Sequence, residues 1–298
     1  MKQIFLALLI LNLAGCVADT AHTSNTDKAV GKSTNPKQLN ITILLDLSDR
    51  INPKLHPTQP AHFQRDVAII RHFADYFVGD MEKRGSYMSK GKLKVVFSPQ
   101  PQDPNVNIYA QKLSTDLSTL KTAEKKAVHD ELPSLFNDNI NKIYNTTIKD
   151  SKWYGSDIWR FFKNDVRDLT IESDPSYRNI LVLVTDGYLY HRDSKSQKGS
   201  RFSYILPDNI AKSNLRNNQN WEKELLKRDF GLIVSRNDLQ DLEVLVLEVT
   251  PSEGFKDDED IIKGILSKWF TEMRVKRFAI FNSDLPQYTK ERINDFIK

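Results

Sequence analysis

Five short apolar runs punctuate the chain from residue 39 onward. Ile41–Leu45, Leu93–Phe97, Ile180–Thr185, Leu242–Val249 and Arg277–Phe281 are rich in β-branched, aromatic and leucine side chains, and none shows a polar face. Continuous apolar runs of this length predict strands buried on both faces, as in a largely parallel sheet. Between the first two runs, Phe63, Val67, Ile70, Phe73, Phe77 and Met81 recur at steps of three and four. That spacing is the stripe of an amphipathic helix. Five further stretches read as helices: "AEKKAVHDELPSLFNDNINKIY", "SDIWRFFKNDV", "NWEKELLKRDF", "DEDIIKGILSKWFTEM" and "TKERINDFI". Pro133, inside the first of these, is expected to kink or split it. Alternation of strand and helix predicts an α/β fold: one doubly wound, mostly parallel sheet with helices on both faces, in a single domain over 39–298.

Upstream the pattern changes. "MKQIFLALLILNLAGC" places a lysine, then an apolar stretch from Ile4 to Leu13, then small residues before Cys16. This is the plan of an export signal, and the stretch is far short of the roughly 20 apolar residues that a spanning helix needs. "LAGC" resembles the bacterial lipobox, in which the cysteine receives diacylglycerol. Cys16 is the sole cysteine of the 298 residues, so an intramolecular disulfide is excluded and the thiol is free for acylation. Residues 17–38 are poor in large apolar side chains and read as a flexible polar tether. The expected organisation is a signal peptide at 1–15, a lipidated cysteine and tether at 16–38, and one folded domain after it. The resemblance implies a lipid anchor to a bacterial membrane, with the domain facing the periplasm or the exterior. Val17, in place of the aspartate that often follows the cysteine of retained inner-membrane lipoproteins, favours the outer membrane.

Composition changes little in this picture. The chain is 39% hydrophobic and 28% charged, ordinary for a globular protein, and its net charge of +4 is spread without a long basic run. Nucleic-acid binding gains no support from it. The six histidines show no HExxH or other paired-ligand spacing, which argues against zinc. "DDED" at 257–260 reads as the acidic first turn of a helix, favoured by the helix dipole.

Candidate chemistry sits where two strands end. Asp46 follows "ITILL" and Asp186 follows "NILVLVT", so neighbouring strands would aim both carboxylates into the crevice beyond the sheet's carboxyl edge. Ser156, at the start of "SDIWRFF", can cap that helix or ligate a metal. In this order "DLSDR", "YGSDI" and "LVTDG" resemble the von Willebrand factor A domain and its metal-ion-dependent adhesion site. The resemblance covers nearly all of 39–298, with long excursions at 98–122 and 188–206. It implies Mg²⁺ or Mn²⁺ held by Asp46, Ser48, Ser156 (where threonine is usual) and Asp186, with one coordination position open for a carboxylate of a protein partner. No bond is broken in such a site, so the expectation is a binding module and not an enzyme.

Arg50 departs from the motif by taking the place of its second serine. Two unit charges 4 Å apart at an effective dielectric near 20 interact by about 4 kcal/mol, so a guanidinium beside a divalent ion costs roughly twice that. Arg50 should therefore turn outward, toward a partner, or displace the ion and bridge Asp46 to Asp186. The second outcome would make the domain a metal-free interaction scaffold. Tyr188, Tyr190 and His191, just after Asp186, are further candidates for partner contact. An aspartate-nucleophile phosphatase of the haloacid dehalogenase type is the enzyme alternative. Its motif, however, wants a second aspartate, as general acid, where Ser48 stands.

Overall fold

The computed structural model describes residues 36–298 apart from 152 and 154, so Cys16 and the segments around it lie outside the described residues. Nine strands and nine helices carry the described chain: β1 Gln38–Leu45, α1 His62–Arg84, β2 Lys92–Phe97, α2 Pro104–Gln111, β3 Ser114–Asp116 and α3 Thr122–Asp150 come first. They are followed by α4 Ile158–Arg160, a π-helical turn at Phe161–Asp165, α5 Val166–Thr170 and β4 Tyr177–Val184. Next come β5 Gln197–Lys198, β6 Arg201–Phe202, α6 Pro207–Lys212, α7 Trp221–Lys227, β7 Gly231–Leu232 and β8 Leu242–Val249. Helix α8 Asp258–Glu272, β9 Arg277–Asn282 and α9 Pro286–Ile297 complete the chain.

The main sheet runs β3-β2-β1-β4-β8-β9, with every pairing parallel except that of the short edge strand β3. The predicted α/β class and the five predicted strands are all present. Successive side chains of a strand point to opposite faces; both faces are buried in β1, β4 and β8, whereas β2 alternates buried with half-buried positions and the edge strand β9 is half-buried beyond an exposed Arg277. Ile41, Ile43, Ile180, Val182, Val184, Leu245 and Leu247 join the core beneath α1, α3 and α9. Leu44, Leu181, Leu183, Val244 and Val246 join the core beneath α4, α5 and α8. Burial on both sides explains why the runs of β1, β4 and β8 lack polar alternation; the expectation of two buried faces fails for β2 and β9, which lie beside and at the sheet edges. Among the described residues no helix is long and apolar enough to cross a membrane.

Pro133 neither splits nor ends α3, which runs unbroken from Thr122 to Asp150. Proline removes one N–H and so frees the carbonyl four residues earlier, at His129, where the chain is only half-buried. Phe136, Ile140, Ile143 and Tyr144 pack fully into the core after it, and that burial outweighs one lost bond.

Strand β1 has β2 on one side and β4 on the other, so successive crossovers leave it in opposite directions. The crevice beyond the carboxyl ends of β1 and β4 is the topological switch point, where open α/β sheets bind their ligands.

Candidate functional site

The switch point is built first by the backbone. Pairing of β1 with β4 extends one residue past the strand, the Asp46 N–H donating to the Val184 carbonyl at 3.1 Å. Asp46 then turns the chain: its Oδ1 accepts from the Ser48 N–H at 2.8 Å and its Oδ2 from the Thr185 hydroxyl at 2.8 Å. In the turn after β4, Asp186 Oδ1 accepts from the Tyr188 N–H at 2.9 Å. Gly187 between them has φ +92°, and a Cβ there would lie 2.7 Å from Ile262 Cγ2. Only glycine lets this turn pack against α8.

Ser156 arrives from the third segment. Leu47 bridges Gly155 and Ser156 bridges Tyr190, both antiparallel, which sets Ser156 opposite Asp46. Its side chain is buried and its Oγ has no hydrogen-bond partner. Burial first, and then the nearby Asp46 carboxylate, push the Asp186 carboxyl up to about 7, while Arg50 pulls the other way. The sequence-derived residues Asp46, Ser48, Ser156 and Asp186 thus come to one place, and two carboxylates there repel each other.

Arg50 neither turns outward nor bridges the two aspartates. Its side chain is 2% exposed, so it is no partner contact. It points down into the core, where Nη2 donates to Asp66 Oδ2 at 2.6 Å and to the Val184 carbonyl at 3.3 Å. The Tyr144 hydroxyl donates to the same Asp66 oxygen at 2.8 Å. Nε stays 3.9 Å from Asp46 Oδ2 without a hydrogen bond. Burial works against the charge on Arg50, but the Asp66 and Asp46 carboxylates outweigh it and hold the guanidinium firmly protonated. Burial in turn raises the Asp66 carboxyl despite Arg50.

A second buried pair lies beside the first. Arg65 Nε donates to Glu248 Oε2 at 2.6 Å, its Nη1 to the Pro60 carbonyl at 2.6 Å, and its Nη2 to His62 Nδ1 at 2.8 Å. Burial, then Arg50 and Arg65, hold His62 down to about 3, so it is neutral imidazole. Glu248, the penultimate residue of β8, has φ +74°, a left-handed conformation that a glutamate adopts only under strain of about 1–3 kcal/mol. Burial first, and then Asp66, push its carboxyl up to about 7, and its Oε1 has no partner. Asp66, Tyr144, Arg65 and Glu248 were not among the sequence candidates.

The residues after Asp186 divide. The Tyr188 hydroxyl donates to Asp258 Oδ2 at 2.8 Å and accepts from the Ser252 N–H at 2.9 Å, and Arg216 holds Asp258 by two bonds of 2.6 and 2.7 Å. Tyr188 is thereby a half-buried latch onto α8. The acidic first turn of that helix is present as expected, although Asp258 within it is fully buried in this latch. Tyr190 is 39% exposed. His191 Nδ1 lies 3.4 Å from Asp157 Oδ2, on a carboxylate that also accepts from the Ser194 hydroxyl and the Arg160 N–H.

No cluster of three or more His, Cys, Asp or Glu side chains arranged for a metal occurs among the described residues. Two aspartates and two hydroxyls form a set of another kind, and oxygen donors of this hardness suit Mg²⁺ or Mn²⁺. The residues fit such an ion: Ser156 Oγ is buried without a partner, and burial together with the neighbouring Asp46 raises the Asp186 carboxyl even with Arg50 nearby. The positive charge of Arg50 weakens the fit, though Asp66 compensates it on the far side. No protein-family model matches the chain, and no curated protein matches it.

Proposed function

We propose that the chain is a von Willebrand factor A-like protein-binding module, lipid-anchored through Cys16 in a bacterial cell envelope, that binds its partner at the β1/β4 switch point. Asp46, Ser48, Ser156 and Asp186 would hold Mg²⁺ or Mn²⁺ weakly, and the ion would supply a Lewis-acidic position for a carboxylate of the partner. One observation carries this reading: polar residues of three separate segments converge at the switch point, and one of them, Ser156, offers a buried hydroxyl with nothing to bond. Anchoring itself is testable, since Cys16→Ser should leave unprocessed or released protein; normal processing and membrane retention would refute it.

A metal-free scaffold is the second reading, and the Arg50–Asp66 pair favours it, because a resident cation already sits 3.9 Å from Asp46. Thermal melting and calorimetry with Mg²⁺ and Mn²⁺ separate the two. Under the first reading the wild type is stabilised by about 2.7 kcal/mol at a hundredfold excess over the dissociation constant, and Asp186→Asn is not. Replacing Arg50 by serine and Asp66 by asparagine together removes the competing charge without leaving a buried carboxylate alone, and should tighten metal binding. No response from the wild type or the double variant leaves the scaffold reading standing.

A further inference from the structure

The excursion after Asp186 builds a cavity of its own, remote in chemistry from the switch point. Strands β5 and β6 form a hairpin that β7 extends in parallel, Arg201 pairing with Gly231 and Phe202 with Leu232. Arg201 fixes this small sheet to the domain, donating to both oxygens of Asp229 at 2.8 and 2.6 Å and both oxygens of Glu272 at 2.7 and 2.8 Å. Between the sheet, α6 and the end of α7 lies a cavity of about 470 Å³, within the range of small-molecule sites.

Its walls combine flat apolar faces with positive charge. Phe202 packs against Tyr204 at 5.2 Å and against Phe230 at 5.5 Å between ring centroids, so the three rings that line the cavity hold one another in place. Lys195, Lys212 and Arg228 also line it, against a single carboxylate, Asp208. Lys195 Nζ rides 5.8 Å above the Tyr190 ring and 5.5 Å above the Tyr204 ring, positioned by cation–π attraction without a carboxylate partner. Lys212 likewise has no ion pair among the described residues. Arg228 spends its Nε on Glu224 and its Nη1 on the Ser213 carbonyl, leaving Nη2 for a ligand. A ring cluster whose members pack on one another, beside two lysines without ion pairs among the described residues, is organised before binding, which keeps the entropy loss on binding small.

We propose that this cavity binds a small anion, a phosphate or carboxylate carried on a planar ring, with the ring against Phe202, Tyr204 and Phe230 and the anionic group at Lys195, Lys212 and Arg228. The site is independent of the metal reading, since it shares no residue with it. Neutral ring compounds lack the charge it selects, and inorganic anions lack the ring.

Calorimetric titration of the wild-type domain with adenosine monophosphate, indole-3-acetate and uncharged adenosine tests this. At least one of the two anions should bind, more tightly than adenosine by about tenfold or more, as loss of a partly desolvated charge contact implies. Which anion binds better distinguishes phosphate from carboxylate. The double substitution Lys195→Glu and Lys212→Glu alters exposed side chains only and should weaken that binding by about tenfold or more at an unchanged melting temperature. Phe202→Leu should weaken each anion that binds the wild type. Failure of both anions to bind the wild type, equal binding of adenosine, or full binding by the double lysine variant overturns the proposal.

Discussion

The two poles of the main sheet each bury a group of charges, and they are built on opposite plans. At the amino end of β8, Glu243 accepts from Arg178, Lys276 and Arg277, with contacts of 2.9 to 3.2 Å. The arginines also donate to the last carbonyls of α9, Arg178 to Phe296 at 2.9 Å. Every polar atom of Glu243 is matched. Burial works to raise its carboxyl, but Arg178 and Lys276 overcome this and hold it below the ordinary glutamate value. At the carboxyl end of the same strand, Glu248 is strained, has one oxygen without a partner, and is pushed up to about 7. Arg50 and Asp66 beside it, and Ser156 at the switch point, also keep buried atoms unmatched. Polar groups buried without partners are costly, so a fold retains them together only where something other than stability decides the residues. The amino pole is fully matched, whereas the carboxyl pole is not, and the ligand site proposed above lies at the second.

The largest test of this contrast is Arg50→Ser. It strands Asp66 as an uncompensated buried carboxylate, and breaking a buried pair in this way should lower unfolding free energy by about 3–5 kcal/mol. Adding Asp66→Asn should restore much of that, because Asn still accepts from Tyr144 and carries no charge. Equal instability of the single and double variants in urea titrations would mean that Arg50 acts through packing and not through its pair.

At the amino pole, Glu243→Gln should cost about 1–2 kcal/mol, less than the buried-pair figure because Lys276 and Arg277 are half-exposed and screened. The two glutamates should also give opposite pH dependence. Glu243 has a depressed folded-state pKa, so its contribution is full above the unfolded value of about 4.5 and is lost as pH falls through the lower folded value. Glu248 is raised from 4.5 to about 7, so between those values the folded state binds the extra proton and stability falls as pH rises. Glu248→Gln should therefore gain on the wild type as pH climbs through that window, whereas Glu243→Gln should lose on it as pH climbs from acid to 4.5. Parallel pH profiles for wild type and Glu248→Gln would erase the contrast between the poles.

Much of this was readable in the chain before any coordinates. The central strands β1, β4 and β8 announce themselves because burial on both faces demands unbroken apolar runs, and β2 and β9 are short apolar runs with one or both faces only half-buried. Strands β3, β5, β6 and β7 span only two or three residues each and carry no periodicity to detect. Helix α2 left a signal, Asp103 as N-cap accepting from the Asn105 and Val106 N–H groups with Pro104 in the first turn, but only eight residues followed it. The carboxylates at strand ends were legible from position alone, whereas the destination of Arg50 depends on α1 and α3. Even so, Asp66 lies three and four residues before Ile69 and Ile70, on the buried face of its helix, and Tyr144 lies four after Ile140. A charged residue on an apolar stripe needs a partner, and Arg50, in the turn that follows β1, supplies it. Glu243 and Glu248 both stand inside a run read as buried on both faces, which asks the same question of each. Only the packing shows that one answer is complete and the other is not.

The smallest expected effect bears most directly on the switch point. Ser156 Oγ is buried with no hydrogen-bond partner, and an unmatched hydroxyl is a liability in a packed interior, since its lost hydration is not recovered. Ser156→Ala removes one oxygen and leaves a methyl group on Cβ, too small a change to open a cavity of consequence. In metal-free buffer the variant should match the wild type or exceed it in stability by about 1 kcal/mol or less. With Mg²⁺ or Mn²⁺ the order should reverse, because the wild type gains a hydroxyl–metal bond that alanine cannot make. A loss of more than about 1 kcal/mol in metal-free buffer would show that the hydroxyl has a partner in the folded domain. The observation that carries the proposed metal site would then be gone, although Arg50, Asp66 and Glu248 would still hold unmatched atoms.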